Sequence, residues 1–351
     1  MKAAVIDKYG DYRVVKVEDI AKPVISTSKQ ILVKVIASSV NSGDARIRRA
    51  DPWLVRLMYG LIVPKLKVLG IVYAGIVEGV GSSNLGYKIG DRVYGMNEVE
   101  LGGHAEYILL DSSNPIGKMP VQMSFADAAS LPFGATTALH YLEGIELKNK
   151  KVLIIGASGA VGVNLLQIAK CRGAVVTTVS SFKNIELLKK LGANYCVSYS
   201  SATNINFSTI NQTASNESGV NKVIENGNEI DKADTTQRGE KLPDSEFDIV
   251  IDCVNKMGVD QLQKLVKKNG YILLVAGLVK EMISKVFVKK ATIVVGPAKV
   301  LQAHYTQINE MYLEKKLIPI IQEILPLDQI SLAHKIVDEG HKVGSVVVDM
   351  L

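Results

Sequence analysis

The apolar positions of this chain change rhythm twice. In the first third, "QILVKVIASSVN", "AGIVEGVG", "GDRVYG" and "HAEYILLD" are short β-branched runs cut by glycine and aspartate turns, which predicts a compact all-β body. Next, "SFADAASLPFGATTALHYLEGIEL" spaces its apolar residues by three and four and predicts helix, with Ser124 and Asp127 as a capping pair. From Lys151 strands and helices alternate. "KVLIIGA", "GAVVTTVS", "NYCVSY", "FDIVIDCV", "GYILLVAG" and "ATIVVGP" read as strands, with helices over 161–171, 185–191 and 258–266. Apolar strands joined by helices predict a parallel sheet covered on both faces. A helix around 307–314 leads to "SLAHKIVDEGHKVGSVVVDML", a helix, a glycine turn and a last strand that could rejoin the first body. Residues 200–246 follow neither rhythm; rich in Asn, Ser and Thr, they read as a low-complexity insertion forming a mobile surface loop, with a partner-binding loop as the alternative.

Composition narrows the class. With 351 residues, 47% of them hydrophobic and 22% charged, the chain has material for two ordinary globular domains. The net charge of +6 fits a solvated surface or a phosphate-bearing ligand, and no basic cluster interleaved with aromatics supports nucleic-acid binding. Cys171, Cys196 and Cys253 lack CxxC spacing, which argues against a disulfide framework and a four-cysteine zinc lobe and fits a reduced compartment. The amino terminus lacks the apolar core of a signal peptide, and no apolar run approaches the roughly 18 residues of a membrane span. The expectation is a cytoplasmic protein without a membrane partner.

The strongest motif is "KVLIIGASGAVG". Ala157, Gly159 and Gly162 fall where a dinucleotide fold has its three glycines, and Ser158, Ala160 and Val161 complete the turn between strand and helix. Gly159 lets backbone approach a pyrophosphate, and the first helical N–H groups present positive charge to it. The next strand ends in Ser180, Ser181, Lys183 and Asn184, with no carboxylate to bind ribose hydroxyls and repel a 2′-phosphate. That favours NADPH; the alternative is a solvated turn with no preference.

With these motifs the chain resembles the zinc-independent branch of the medium-chain dehydrogenases/reductases, the quinone oxidoreductase and alkenal reductase group. The resemblance rests on "VNSGDARIRRADPWLVRL", "LGIVYAGIVEGVG", "IGDRVYG", "GGHAEYILL", "AASLPFGATTAL", "LIIGASGAVG", "VSSFKNIELLKKLGA", "FDIVIDCV" and "EGHKVGSVVV", in family order. It implies an α/β fold: a GroES-like β-rich catalytic domain (1–125 and 305–351) interrupted by a Rossmann doubly wound parallel-sheet domain (126–304), assembled as homodimer or homotetramer. Zinc-dependent relatives hold their metal where this chain has Asn41, Ile71 and Val72, and the five histidines show no ligand spacing, so no metal is expected.

Without a Lewis acid an alcohol is a poor substrate, whereas an electron-poor double bond or quinone accepts hydride directly. The resemblance thus implies NADPH-dependent hydride transfer to a quinone or α,β-unsaturated carbonyl; the alternatives are an enoyl-thioester reductase, or a non-catalytic NADPH- or nucleic-acid-binding protein. It places Asn41, Arg46 and Thr137 at the nicotinamide and substrate end, where Asn41 could equally cap its turn and Arg46 be a surface charge. Tyr199, Cys253 and Asn255 fall on the adenosine side, Ala276 and Gly277 at the carboxamide, and Gly344 and Ser345 at a terminal pair that is Gly-Lys in many relatives. Tyr73 and Tyr94 are candidate proton donors by location alone, with water as the alternative.

Overall fold

Two sheets organise the chain. The computed structural model describes residues 1–82, 86–199, 246–277 and 290–351, with the backbone of two short strands, 223–225 and 228–230. The polar segment read as a surface loop therefore lies, but for those strands and Glu246, outside the described residues.

The first sheet is built on β3 (Gln30–Val40), which follows a small antiparallel pair, β1 (Lys2–Val5) and β2 (Lys16–Asp19). β3 pairs with β4 (Val72–Val80) and with β6 (Tyr107–Asp111), while β5 (Arg92–Met96) and β7 (Ile116–Lys118) extend the β4 side. Its burial is nearly continuous rather than alternating, because both of its faces are covered. The chain's last strand closes this sheet from afar, setting Val346 opposite Val40 in antiparallel register. The carboxyl terminus does rejoin the first body.

The second sheet is wholly parallel. Its strands are β8 (Lys151–Ile155), β9 (Val175–Ser180), β10 (Tyr195–Ser198) and, after the hairpin β11 (Val223–Glu225) and β12 (Asn228–Ile230), β13 (Phe247–Asp252), β14 (Val266–Leu274) and β15 (Ala291–Val295). Their spatial order is β10-β9-β8-β13-β14-β15, so the order reverses between β8 and β13. A crevice at that reversal, beyond the carboxyl ends of the strands, is where open α/β sheets bind ligands. Strands β16 (Ile321–Pro326) and β17 (Ser345–Asp349) then complete the first sheet.

Nine α-helices are described: α1 (Ser42–Arg49), α2 (Val55–Tyr59), α3 (Phe125–Ser130), α4 (Pro132–Tyr141), α5 (Ala160–Cys171), α6 (Ile185–Lys190), α7 (Val259–Leu265), α8 (Gln302–Leu313) and α9 (Ile330–Asp338). Ser124 caps α3 by accepting from the Asp127 N–H, as its spacing predicts. The single helix expected over this region breaks into α3 and α4, because Pro132 brings no N–H and starts a helix more readily than it continues one.

Close approach of backbones holds α4, α5 and β8 together. A Cβ on Gly162 would stand 2.4 Å from the Gly156 carbonyl oxygen, and one on Gly134 would stand 2.3 Å from the Ala160 oxygen. Both glycines are therefore required by contact. One apolar core then runs from Val152, Leu165 and Ile251 of the parallel sheet and its helix, through Ala135 and Ala138 of α4, to Ala74 and Val347 of the other sheet. Each large aliphatic side chain buried in it contributes about 1.5–3 kcal/mol.

Gly162→Ala forces α5 off the strand below it and is expected to cost about 1–3 kcal/mol, read as a lower urea midpoint with unchanged slope. An unchanged midpoint would mean that the helix lifts freely.

Candidate active site

The glycine turn sits at the crevice. Gly156 leaves β8 with φ +78°, and Gly159 caps α5 without any side-chain hydrogen bond to its first turn. Those N–H groups are thus free to meet an anion. A Cβ on Gly159 would meet only the Gly156 oxygen, at 3.6 Å, so the space above the turn is open. That space is a cavity of about 160 Å³ lined by Gly156, Gly159, Val161, Gly162, Cys253 and Lys342.

Lys342 arrives from the return segment before β17. The Gly344 N–H donates to the Ser158 carbonyl at 2.8 Å and Gly344 forms a parallel bridge with Gly159, which seats this segment on the glycine turn. The Lys342 ammonium donates to the Gly344 carbonyl at 2.6 Å, and desolvation lowers its pKa to about 8. No carboxylate among the described residues forms an ion pair with it. A cation so placed, beside free helical N–H groups, suits a diphosphate.

A second cavity, of about 390 Å³, shares Ser42, Phe133, Val161 and Cys253 with the first, and is also lined by Arg46, Glu98, Thr137, Tyr141, Ala276 and Gly277. Arg46 crosses it, donating from Nη2 to the Ala276 carbonyl at 3.3 Å. Tyr141 donates to the Gly296 carbonyl at 2.7 Å and ties the ends of β14 and β15 to α4. Thr137 spends its hydroxyl proton on the Phe133 carbonyl at 2.7 Å, leaving its oxygen able to accept. A wider hollow of about 540 Å³ around Asp7 and Lys16 draws its lining from one chain segment, without groups converging from separate elements.

The candidates from the sequence divide accordingly. Val161, Cys253, Ala276, Gly277, Arg46 and Thr137 line the joined cavities, and Ala157, Ser158, Gly159, Ala160 and Gly162 build or border the glycine turn. Tyr199 faces the Gly156 backbone, with burial raising its pKa to about 12. The Asn255 N–H is held by Asp252, whose carboxylate organises the turn after β13. Asn184 bridges to the Ser158 hydroxyl at 2.9 Å, while Ser181 and Lys183 stay accessible.

Asn41 behaves as the cap: its Oδ1 accepts from Gly43 and Asp44, and Asp44 answers by accepting from the Asn41 N–H. Its Nδ2 is buried without a partner, and its neighbours Ser42 and Gly43, rather than Asn41, line the cavity.

Four expectations need correction. Ser345 is 6% exposed and donates to the Ser130 carbonyl at 2.8 Å, so it faces α3 rather than a cofactor. Ser180 is enclosed at the strand end, with its hydroxyl committed to the Ser181 carbonyl. Tyr73 lies at 1% exposure in the core of the first sheet, where the pleat of β4 places it, and lines neither cavity. Tyr94 is equally enclosed; it donates to Asn309 and packs edge-on against Tyr305. Sequence reasoning missed Lys342, Phe133, Tyr141 and Glu98. Only Lys342 left a signal, a lysine beside a glycine turn two residues before Gly344.

The fold and site define a two-sheet chain whose crevice, at a helix N-terminus and a reversal of strand order, suits a nicotinamide dinucleotide. Residues 27–121 match the alcohol dehydrogenase GroES-like domain family and residues 218–348 the zinc-binding dehydrogenase family. The human mitochondrial NAD(P)H oxidoreductase RTN4IP1 is 34% identical over 58% of this chain and 55% of its own length. The 2-methylene-furan-3-one reductase of Solanum lycopersicum is 30% identical over 80% of this chain and 63% of its own length. The chain thus spans a little more than half the length of these curated relatives. Among solved structures, the quinone oxidoreductase from Coxiella burnetii superposes with a TM-score of 0.80 at 27% identity, covering 100% of this chain and 99% of that one. In both family-model matches and in its fold the chain is similar to the medium-chain dehydrogenases/reductases.

The residues fit a nicotinamide dinucleotide: an uncapped helix N-terminus, an open space above Gly159 and a cation with no carboxylate partner among the described residues converge on one cavity. They do not fit zinc. Asn41 is spent as a cap, Ile71 and Val72 offer no donor atoms, and among the described residues no three His, Cys, Asp or Glu side chains cluster as ligands.

Lys342→Met is expected to raise the Kd for a nicotinamide dinucleotide about tenfold by calorimetry, the size of one charge-assisted contact, with Lys342→Arg close to wild type. Because the ammonium gives up its proton near a pKa of about 8, wild-type affinity should fall as pH rises through that value. Lys342→Met should show no such decline. An unchanged Kd in Lys342→Met would remove Lys342 from the site.

Proposed function

We propose that the chain is an NADPH-dependent reductase of quinones or α,β-unsaturated carbonyls, working without a metal. The observation that carries this reading is that the two cavities adjoin, sharing Ser42, Phe133, Val161 and Cys253 in their linings. One end is built for a diphosphate and the other is a mainly apolar space bounded by Thr137, Ala276 and Arg46. When bound, the dinucleotide supplies hydride. The chain's part is to seat it, keep water from the reacting faces, and orient an acceptor already polarised by conjugation.

Arg46 is the residue suited to meet a carbonyl or quinone oxygen, since its guanidinium reaches across the cavity and offers a planar fork of donors. Cys253 is no nucleophile: desolvation and the neighbouring Asp252 push its thiol pKa up, so it stays protonated. For the coenzyme, the end of β9 carries no carboxylate, and the accessible Ser181 and Lys183 suit a 2′-phosphate. The names of the relatives in tomato and Coxiella burnetii point to the same acceptors.

NADPH oxidation should be seen with at least one member of a panel of quinones, alkenals and enoyl thioesters. Tight NADPH binding with no turnover of any would overturn the reading. Exchanging Ser181→Asp and Lys183→Ala together should move the NADPH/NADH ratio of kcat/KM at least tenfold toward NADH; a constant ratio would refute the phosphate contacts.

A further inference from the structure

The reduction of a conjugated carbonyl requires a proton as well as a hydride, and the tyrosines best placed by sequence prove to be buried elsewhere. We propose that Glu98 is the proton donor of this site, delivering its carboxyl proton to the enolate left after hydride addition. This rests on the reading of the site as an enone reductase.

Glu98 follows β5 on a loop that is firmly held. The Asn97 N–H donates to the Ile71 carbonyl at 2.7 Å, the Asn97 side chain donates to the Leu101 carbonyl at 2.9 Å, and the Tyr59 hydroxyl donates to the Glu98 carbonyl at 2.6 Å. Its side chain lines the 390 Å³ cavity together with Ser42, Arg46, Thr137 and Ala276. Among the described residues no hydrogen bond or ion pair engages the carboxyl. Glu98 is exposed at the edge of the cavity, which gives a path for reprotonation.

The other proton-bearing groups of that lining fail in turn. The Thr137 hydroxyl is spent on Phe133, and an aliphatic hydroxyl such as Ser42 holds its proton too tightly. Tyr141 is bound to Gly296 with its pKa raised to about 12, and the Cys253 thiol is pushed up by burial. Among the described residues Glu98 is the only carboxyl in the lining. Desolvation raises its pKa, and the charged and titratable groups around it are Tyr59 of α2, Tyr305 of α8 and, across the cavity, Arg46 of α1. A cavity-lining carboxyl whose pKa is raised, with no cation bound to it among the described residues, can act as a general acid.

The step balances. An enone that has gained hydride at its β-carbon carries the displaced π pair as an enolate. The Glu98 O–H bond breaks, a C–H bond forms at the α-carbon, and the carboxylate recovers its proton from water. A quinone leaves a hydroquinone anion whose oxygen water protonates unaided, so it makes no demand on Glu98.

The test is Glu98→Gln, which keeps size and polarity, assayed with NADPH against one enone and one quinone across pH. The expected result is an enone kcat down about 100-fold with loss of the wild-type decline at high pH, while quinone turnover and the NADPH Kd stay within about twofold. Unchanged enone kcat and pH profile in the variant would overturn the assignment while leaving the reductase reading standing. Equal losses with both acceptors would also overturn it, by showing a structural role. Absence of enone turnover in the wild type would instead sink the reading beneath it.

Discussion

The site depends on the seating of the carboxyl-terminal return segment upon the glycine turn. The hydrogen bond from Gly344 to Ser158 and the bridge between Gly159 and Gly344 join the last strand of one sheet to the first strand and helix of the other. Position 344 needs glycine there. Gly344 has φ +62°, and a Cβ on it would lie 2.1 Å from the Ile320 oxygen. Because this contact brings Lys342 beside the first turn of α5, it turns a general feature of parallel sheets, a helix N-terminus at a strand-order reversal, into a charged pocket.

The second cavity follows from a different set of contacts. Gly134 lets α4 lie against α5, and α4 in turn carries Thr137 and Tyr141 to the strand ends of the parallel sheet. α1, fixed by the reciprocal cap between Asn41 and Asp44, brings Arg46 across to Ala276. Asp44 also accepts from the Ile71 N–H at 2.9 Å, so one buried carboxylate binds the helix to the start of β4. Its burial raises its pKa, and the neighbouring His104 and backbone N–H groups oppose that rise. The walls of this cavity are thus held mainly by backbone contacts, with Arg46 and Glu98 as the charged side chains among the described residues that line it.

Much of this was legible in the chain. The parallel sheet was readable because β8, β9 and β13 are continuous apolar runs separated by helices, and the glycine turn because only small residues let α5 sit on β8. The returning last strand was legible as a strand, although its partner, β3, was not. What sequence could not supply was the direction of side chains at strand ends. Ser345 and Lys342 lie three residues apart, yet the serine turns inward to Ser130 and the lysine faces the cavity. Tyr73 and Tyr94 sit on strands bordering the site, and the pleat sends both into the core. Glu98 belongs to an irregular loop with no periodicity, and only three-dimensional closure shows what it faces.

The most direct check is hydrogen exchange of backbone amides with and without saturating NADPH. Free N–H groups at the start of α5 have no intrahelical acceptor, so they should exchange fast alone and slow markedly when a diphosphate accepts from them. Joint protection of Ala160, Val161 and Gly162 with Lys342 and Val343 is the expected result. Unchanged exchange at the glycine turn, with protection appearing elsewhere in the chain, would contradict the placement of the coenzyme between these two segments.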